Sequence, residues 1–192
     1  ALLGLALVLV FAVTRIIFIP QGEFVAYGAL SLAILDSGKV PGTAPMLIAF
    51  GVAAMVLDLW DLRRNMRAAS LVKALLINIV LPVLIYGLVT LLAPLELPAI
   101  ARATIAVIII APMGYYIYRI VYRPLVDASV LMLLIASLGV HLFMMGLGLI
   151  FFGPEGLRAR PLAEGSFPLG PLVVTTQSLW IYGITILIIV GL

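Results

Sequence analysis

Cysteine is absent from the sequence, histidine occurs once, and charged side chains are few. The chain therefore has no disulfide, no thiolate metal site and no histidine metal cluster. Charged residues are 10% of the 192 residues, compared with about 25% in an ordinary globular domain. Eleven basic and eight acidic side chains cannot cover the surface of a soluble protein of this size. This excludes a soluble enzyme, a disordered chain and a nucleic-acid-binding module.

Apolar residues dominate what remains: they are 65% of the chain, and the mean hydropathy is +1.33. A helix needs roughly 20 apolar residues to cross a hydrocarbon core. Backbone groups in lipid must be hydrogen-bonded within the protein, so helices and closed barrels are the alternatives. The apolar runs are long and do not alternate, which predicts an all-α, polytopic bundle of transmembrane helices.

The chain divides into seven apolar segments: residues 1–14, 24–35, 45–57, 71–93, 98–118, 129–152 and 178–192. Segment 24–35 is too short to cross directly, which makes it a candidate for a broken or re-entrant segment. The sequence therefore predicts about six to seven spans. Both ends of the chain lie inside apolar runs, and this predicts a piece of a longer membrane protein.

If each apolar segment crosses the membrane once, the basic residues are divided unequally between the two sides. One side holds seven of them: Arg15, Arg63, Arg64, Arg67, Lys73, Arg119 and Arg123. The other side holds four: Lys39, Arg102, Arg158 and Arg160. The positive-inside rule places the larger group in the cytoplasm, which predicts a multi-pass protein of the inner (cell) membrane.

Residues 16–24 interrupt the hydrophobicity with a proline followed by Gln21, Gly22 and Glu23. In transporters, broken helices line the pathway, because unpaired backbone groups are tolerated there. Gln21, Gly22 and Glu23 are thus candidate pathway or hinge residues. The alternative is a plain cytoplasmic turn with a solvated Glu23.

Three more polar residues lie inside apolar segments. Asn78 is expected to form a hydrogen bond between helices. Arg102 lies near a helix start and is expected to extend to the membrane surface. His141 is either an interhelical hydrogen-bonding residue or part of a proton relay, and its own segment offers no acidic partner.

Residues 58–67 combine acidic, basic and aromatic side chains in a pattern typical of an amphipathic helix on the membrane surface. Docking of an ATPase is the alternative function of this segment. The sequence has no Walker A loop and no nucleophile–base pair. We therefore predict that the chain is not an enzyme and carries no catalytic residue, metal or cofactor.

Two stretches resemble a known family. The first runs from Leu5 through Arg15 and Glu23 to Ala29, and the second comprises residues 122–125 (YRPL), 134–139 (LIASLG) and 152–155 (FGPE). They resemble, in the same order, blocks of the permease subunits of branched-chain amino-acid ABC importers (Liv type). The family pattern for the first block is roughly L-x-L-V-F-x-x-x-R-x-I-N-x-A-H-G-E-F. This chain has Pro20-Gln21 in place of Ala-His, and Phe18 in place of Asn.

The resemblance implies that residues 1–192 are one transmembrane permease domain without the family's C-terminal half and coupling loop. It implies transport of branched-chain amino acids or related small amino acids and amides. The implied partners are a second permease subunit, cytoplasmic ATPase subunits, a periplasmic or extracellular substrate-binding protein and membrane lipid, with no nucleic acid. Tyr122, Arg123 and Pro124 would form a structural cytoplasmic corner.

Two other functions compete with transport. A membrane enzyme acting on lipid would need clustered polar residues, whereas the available Glu23, Asp58, Asp61 and His141 are scattered along the sequence. An accessory or degenerate permease that does not transport would fit the altered turn and the absent second half. Uptake by the whole protein separates transport from the accessory function.

Overall fold

The computed structural model describes residues 2–62, 68–154, 165–169 and 172–191. The helices are α1 (Leu2–Thr14), α2 (Gln21–Asp36), α3 (Thr43–Leu62), α4 (Ala68–Leu75), α5 (Leu81–Leu92), α6 (Ala99–Ile117), α7 (Val130–Phe152) and α8 (Thr176–Gly191). Two π-helical turns, Leu76–Val80 and Tyr118–Tyr122, join α4 to α5 and extend α6. A short 3-10 turn, Arg123–Leu125, ends the long α6 segment.

Four segments in the described part of the chain are long and apolar enough to cross a membrane: Thr43–Trp60, Leu71–Leu92, Ala99–Leu125 and Val130–Phe152. The expectation of helical, membrane-spanning segments is therefore confirmed at this level. The larger count of six to seven is not confirmed. α1 and α8 are apolar but shorter than a span, and α2 has only 16 residues.

The long α6 segment is the centre of the bundle, because α2 packs on one of its faces and α3 on another. α3 also packs against α5 and the first π-helical turn, and α7 packs against α2. The central residues of α6, including Ile109, Met113 and Tyr116, are fully buried. Many other apolar side chains are exposed on the outer surfaces of the helices, as is expected where lipid replaces water as the solvent.

Local sequence explains where several helices begin and end. α1 ends at Arg15, which has a positive φ of 58° and donates its backbone N–H to the carbonyl of Phe11. α7 begins after Ser129, whose side chain accepts a hydrogen bond from the N–H of Met132. It ends at Gly153 with a φ of 78°, a conformation that glycine adopts without strain.

The first π-helical turn packs directly on α3 at Gly51. A Cβ atom at Gly51 would overlap the backbone oxygen of Asn78 and would lie 2.9 Å from Cγ of Pro82. A π-helical turn leaves part of the ordinary helical hydrogen bonding unmet, and the hydroxyl of Tyr116 donates to the carbonyl of Ile77 at 2.6 Å. The irregular turn is thus held by α3 on one side and by α6 on the other.

A small β-hairpin is the one departure from an all-α fold in the described residues. Strands β1 (Ser166–Leu169) and β2 (Leu172–Thr175) pair antiparallel, with Ser166 opposite Thr175. The hairpin leads directly into α8. It lies between the predicted apolar segments 129–152 and 178–192; of the residues that connect them, 155–164, 170 and 171 lie outside the described part.

We expect Gly51→Ala to destabilise the bundle by about 1–3 kcal/mol, because the added methyl group must displace the backbone of the π-helical turn. The measurement is the unfolding midpoint of the detergent-solubilised protein. Gly87→Ala is the matched control, since nothing lies within 4 Å of a Cβ atom added there. Equal midpoints for the two variants would contradict the close approach at Gly51.

Candidate functional site

The chain breaks between α1 and α2, and this break packs against α7 and the end of the α6 segment. The backbone N–H of Ile19 donates to Oγ of Ser137 on α7 at 3.1 Å. The same hydroxyl lies 2.9 Å from the hydroxyl of Tyr122, and Ser137 is fully buried. One serine therefore joins the break, the end of the α6 segment and α7.

Aromatic rings surround this junction. The ring centroid of Phe18 lies 5.5 Å from that of Phe24 and 6.0 Å from that of Tyr122 in an edge-on arrangement. Phe18 replaces the asparagine of the family pattern, and here it packs instead of offering a polar group. The two stretches that carry the resemblance thus meet in space, although they are far apart in sequence.

Glu23 and His141 form a pair just beyond the break. Oε1 of Glu23 lies 3.2 Å from Nδ1 of His141, and both side chains are largely buried. His141 is eleven residues from either end of α7 (Val130–Phe152), or about 16 Å at 1.5 Å per residue. If α7 crosses a membrane, this acid–base pair lies near the middle of the hydrocarbon core.

The sequence prediction for His141 found no acidic partner because it considered the histidine's own segment alone. Glu23 lies on α2 and reaches His141 across the interface between the two helices. A search for acidic residues beside every helix break would have suggested this partner. Glu23 also lies in the first turn of α2, where the helix dipole stabilises a negative charge.

Gln21 and Gly22 occupy the first two positions of α2 beside Glu23. Gln21 is half-buried and Gly22 is exposed, and nothing lies within 4 Å of a Cβ atom added to Gly22. The chain therefore has free space at this turn. Their role as pathway or hinge residues stays a prediction.

α2 is fixed to α7 one turn further along by Tyr27. Its hydroxyl donates to the carbonyl of Met144, and its ring packs 5.7 Å from that of Phe152. A Cβ atom at Gly148 would lie 3.2 Å from the Tyr27 ring. These contacts hold the start of α2 at a fixed height beside His141.

A second polar cluster centres on Asp58. The sequence placed Asp58 at the start of a polar surface segment, and this expectation is wrong. Asp58 lies within α3 and is 4% exposed, because two other helices supply it with hydrogen-bond donors. Residues 63–67 of the predicted amphipathic helix lie outside the described residues.

Three donors converge on the carboxylate of Asp58. Nε of Arg119 donates to Oδ1 at 2.9 Å, Nη2 of Arg119 donates to the same oxygen, and Nδ2 of Asn78 donates to Oδ2 at 2.7 Å. Nη1 of Arg119 donates to the Tyr115 hydroxyl at 2.8 Å. Asn78 and Arg119 lie on the two π-helical turns, so Asp58 connects both irregular turns to α3.

The hydrogen bond of Asn78 fulfils the expectation of an interhelical contact. The carboxylate of Asp58 fixes the orientation of the amide, because only the amide nitrogen can donate to it. The other amide atom, Oδ1 of Asn78, is buried and has no hydrogen-bond partner among the described residues. Asn78 therefore serves mainly as a donor to Asp58.

Arg102 has a partner that the sequence did not indicate. Its Nε lies 3.2 Å from Oδ1 of Asp36 at the end of α2. This pair lies at the opposite end of α6 from Arg119. The extension of Arg102 to the membrane surface stays a prediction.

The three residues predicted to form a corner are placed differently from one another. Tyr122 is buried, and its hydroxyl bonds to Ser137. Arg123 and Pro124 are exposed in the 3-10 turn that follows. Their description as a structural corner stays a prediction, and the contacts favour it most for Tyr122.

The described residues contain no group of three or more side chains suited to a metal ion. Their charged side chains instead form separate pairs that join different helices. No protein-family model matches this sequence, and searches of curated proteins and of solved structures find none similar to it. The family resemblance therefore stays a prediction based on the sequence blocks.

We expect Asp58→Asn to destabilise the protein by about 3 kcal/mol, because it leaves the Arg119 guanidinium partly buried without a counter-charge. The double variant that combines Asp58→Asn with Arg119→Gln should lose less stability than the sum of the losses in the two single variants. Unfolding of the four proteins in a double-mutant cycle measures the difference. The matched control is Asp127→Asn, which removes an exposed carboxylate; additivity at Asp58 and Arg119 would contradict the coupling.

We expect Ser137→Ala to cost about 1–3 kcal/mol, because the Ile19 N–H and the Tyr122 hydroxyl both lose a buried partner. Hydrogen exchange at Ile19 should accelerate in this variant. Ser129→Ala is the control, since it removes an exposed helix cap on the same helix. Unchanged exchange at Ile19 in Ser137→Ala would show that the bond does not hold the break.

Proposed function

We propose that this chain is a permease subunit of an ABC importer that translocates branched-chain amino acids or related small amino acids and amides. The observation that carries the proposal is the broken helix between α1 and α2, with Glu23 and His141 paired beside it. The resemblance of the surrounding sequence to Liv-type permeases supplies the substrate class. Four helices with the length and composition of spans agree with the membrane setting.

A break of this kind suits a transport pathway for a physical reason. An unwound segment exposes backbone N–H and C=O groups, and these are tolerated at membrane depth only where protein or a water-filled cavity satisfies them. The break here has one described hydrogen bond to a buried side chain, the bond from Ile19 to Ser137. In the proposal, rearrangement of this bond opens the break toward substrate.

Glu23 and His141 would contribute to alternating access through their mutual contact. An acid and an imidazole 3.2 Å apart attract each other when the imidazole is protonated, and an intramembrane pair of this kind is typical of substrate or ion pathways. Separation of α2 from α7 would break the pair and expose the Glu23 carboxylate. A substrate ammonium group could then take the place of the histidine.

The energy for this movement would come from partner subunits. The sequence contains no Walker A loop, so cytoplasmic ATPase subunits would hydrolyse ATP. A second permease subunit would complete the pathway, and an external binding protein would deliver substrate. The protein would be a multi-pass component of the cell membrane, with the Arg119 end of the bundle in the cytoplasm.

The test is uptake of radiolabelled leucine by the complete transporter that carries Glu23→Gln or His141→Gln. We expect each variant to reduce uptake at least tenfold, because either one removes the charge attraction within the pair. Glu96→Gln is the matched control, since Glu96 is exposed in the turn before α6. Assembly is followed in parallel by the amount of complex purified from membranes.

The outcomes separate the competing functions. Wild-type uptake in both variants, with normal assembly, would show that the pair lies outside any pathway. Absence of leucine uptake by the wild-type complete complex would favour the accessory, non-transporting protein. Loss of uptake with intact assembly in both variants supports the permease.

A further inference from the structure

We propose that the rim of the bundle around Arg119 and Arg123 binds the phosphate group of an anionic phospholipid. This rim lies at the end of the bundle opposite the Asp36–Arg102 pair. Lipid binding at the rim does not depend on the transport function. The rim carries cations that form no ion pair among the described residues.

Two cavities flank the Asp58–Arg119 ion pair. One, of about 300 Å³, is lined by Leu57, Asp58, Trp60, Arg119, Arg123 and Pro124. The other, of about 270 Å³, lies on the side of the π-helical turn and includes Lys73 with Asn78 and Tyr115. Both contain Asp58 and Arg119 in their walls, so the ion pair separates two openings of one polar rim.

The charges of this rim do not balance. Among the residues that line the two cavities, Asp58 is the single carboxylate, whereas three are cations: Lys73, Arg119 and Arg123. Arg119 is paired with Asp58. Lys73 and Arg123 are exposed and form no ion pair within the described part of the chain. The described side chains that line the two cavities therefore carry a net positive charge.

Arg119 also keeps donors that an anion could use. A guanidinium has five N–H groups, and the bonds to Asp58 and Tyr115 use Nε–H and one N–H on each terminal nitrogen. One N–H on each terminal nitrogen remains. Arg123 follows four residues later at the wall of the same cavity, so both guanidinium groups can reach one phosphate.

The location of the rim favours a lipid over a soluble anion. It lies near the ends of three candidate spans, Thr43–Trp60, Leu71–Leu92 and Ala99–Leu125, where headgroups of a surrounding bilayer would lie. Lys73 precedes Asn78 by five residues, about 7–8 Å closer to that membrane surface. Trp60 is 71% exposed, and tryptophan prefers the headgroup region. Basic pockets between helices on the cytoplasmic side are typical sites for anionic headgroups.

The apolar neighbours complete the site. Leu57 and Leu59 are exposed at the end of α3 beside Trp60, and their side chains would contact the acyl chains of the same lipid. A phosphate at Arg119 and Arg123 would therefore be continuous with an apolar surface. A free phosphate ion would use only the cationic part of the site.

The fluorescence of Trp60 can report which lipid lies at the rim. The sequence has two tryptophans, and replacement of the second, Trp180→Phe, leaves Trp60 as the sole emitter. The chain is reconstituted in phosphatidylcholine vesicles that contain phosphatidylglycerol brominated on the acyl chains near the headgroup. Quenching of Trp60 fluorescence by this lipid is compared with quenching by brominated phosphatidylcholine. The comparison gives the relative affinity of the site for the two lipids.

We expect phosphatidylglycerol to bind roughly fivefold more strongly than phosphatidylcholine, from about one additional charge contact. Arg123→Gln should reduce this preference to near unity, and Lys73→Gln should reduce it in part. Arg123 forms no described hydrogen bond, so its loss is not expected to unfold the protein. Lys39→Gln, which removes an exposed cation at the opposite end of the bundle, should leave the preference unchanged.

Three results would overturn the proposal. They are equal quenching of Trp60 by the two lipids, a preference for phosphatidylglycerol that survives Arg123→Gln, and a loss of this preference in Lys39→Gln as large as that in Arg123→Gln. The last result would indicate general charge attraction. Inorganic phosphate at millimolar concentration distinguishes the two sources of a phosphate group. Its failure to relieve the quenching supports a lipid site, and its displacement of the lipid would assign the site to a soluble anion.

Discussion

The centre of this bundle depends on the interactions of one carboxylate, that of Asp58. It lies inside α3 and receives donors from two π-helical turns on two other helices. A charge taken from water is costly unless it is paired and fully hydrogen-bonded. Because both partners lie on irregular turns, the same carboxylate fixes the two places where the helical hydrogen-bonding pattern changes. Gly51 and Tyr116 then hold the first of these turns from opposite sides.

Other polar groups also pair between distant parts of the chain. Glu23 lies beside His141 and Asp36 beside Arg102, and Ser137 accepts a hydrogen bond from the backbone of Ile19 in the break. Such pairing is favoured where an apolar surrounding offers no water as an alternative partner. These pairs set the relative heights of α2, α6 and α7. The break between α1 and α2 is therefore held beside the middle of α7 by specific contacts rather than by apolar packing alone.

The two functional proposals concern different regions of the bundle. The proposed transport pathway lies at the break and uses a pair whose separation would expose a carboxylate. The proposed lipid site lies at the rim, where two exposed cations flank the Asp58–Arg119 ion pair. Tyr122, which contacts the break, lies between Arg119 and Arg123 in the sequence, so the two regions adjoin at the end of the α6 segment.

The sequence alone determined the helical, membrane-type class, because continuous apolar runs leave the backbone no other partners than its own groups. It also indicated that Gln21, Gly22 and Glu23 interrupt a helix, since their polarity is local information. It could not decide the partners of Asp58, Arg102 and His141. Those partners lie on other helices, and only packing brings them together. The predicted six to seven spans are not confirmed for a related reason: hydrophobicity records which segments avoid water, whereas helix length and breaks decide which of the described segments, four of them here, are long enough to cross a membrane.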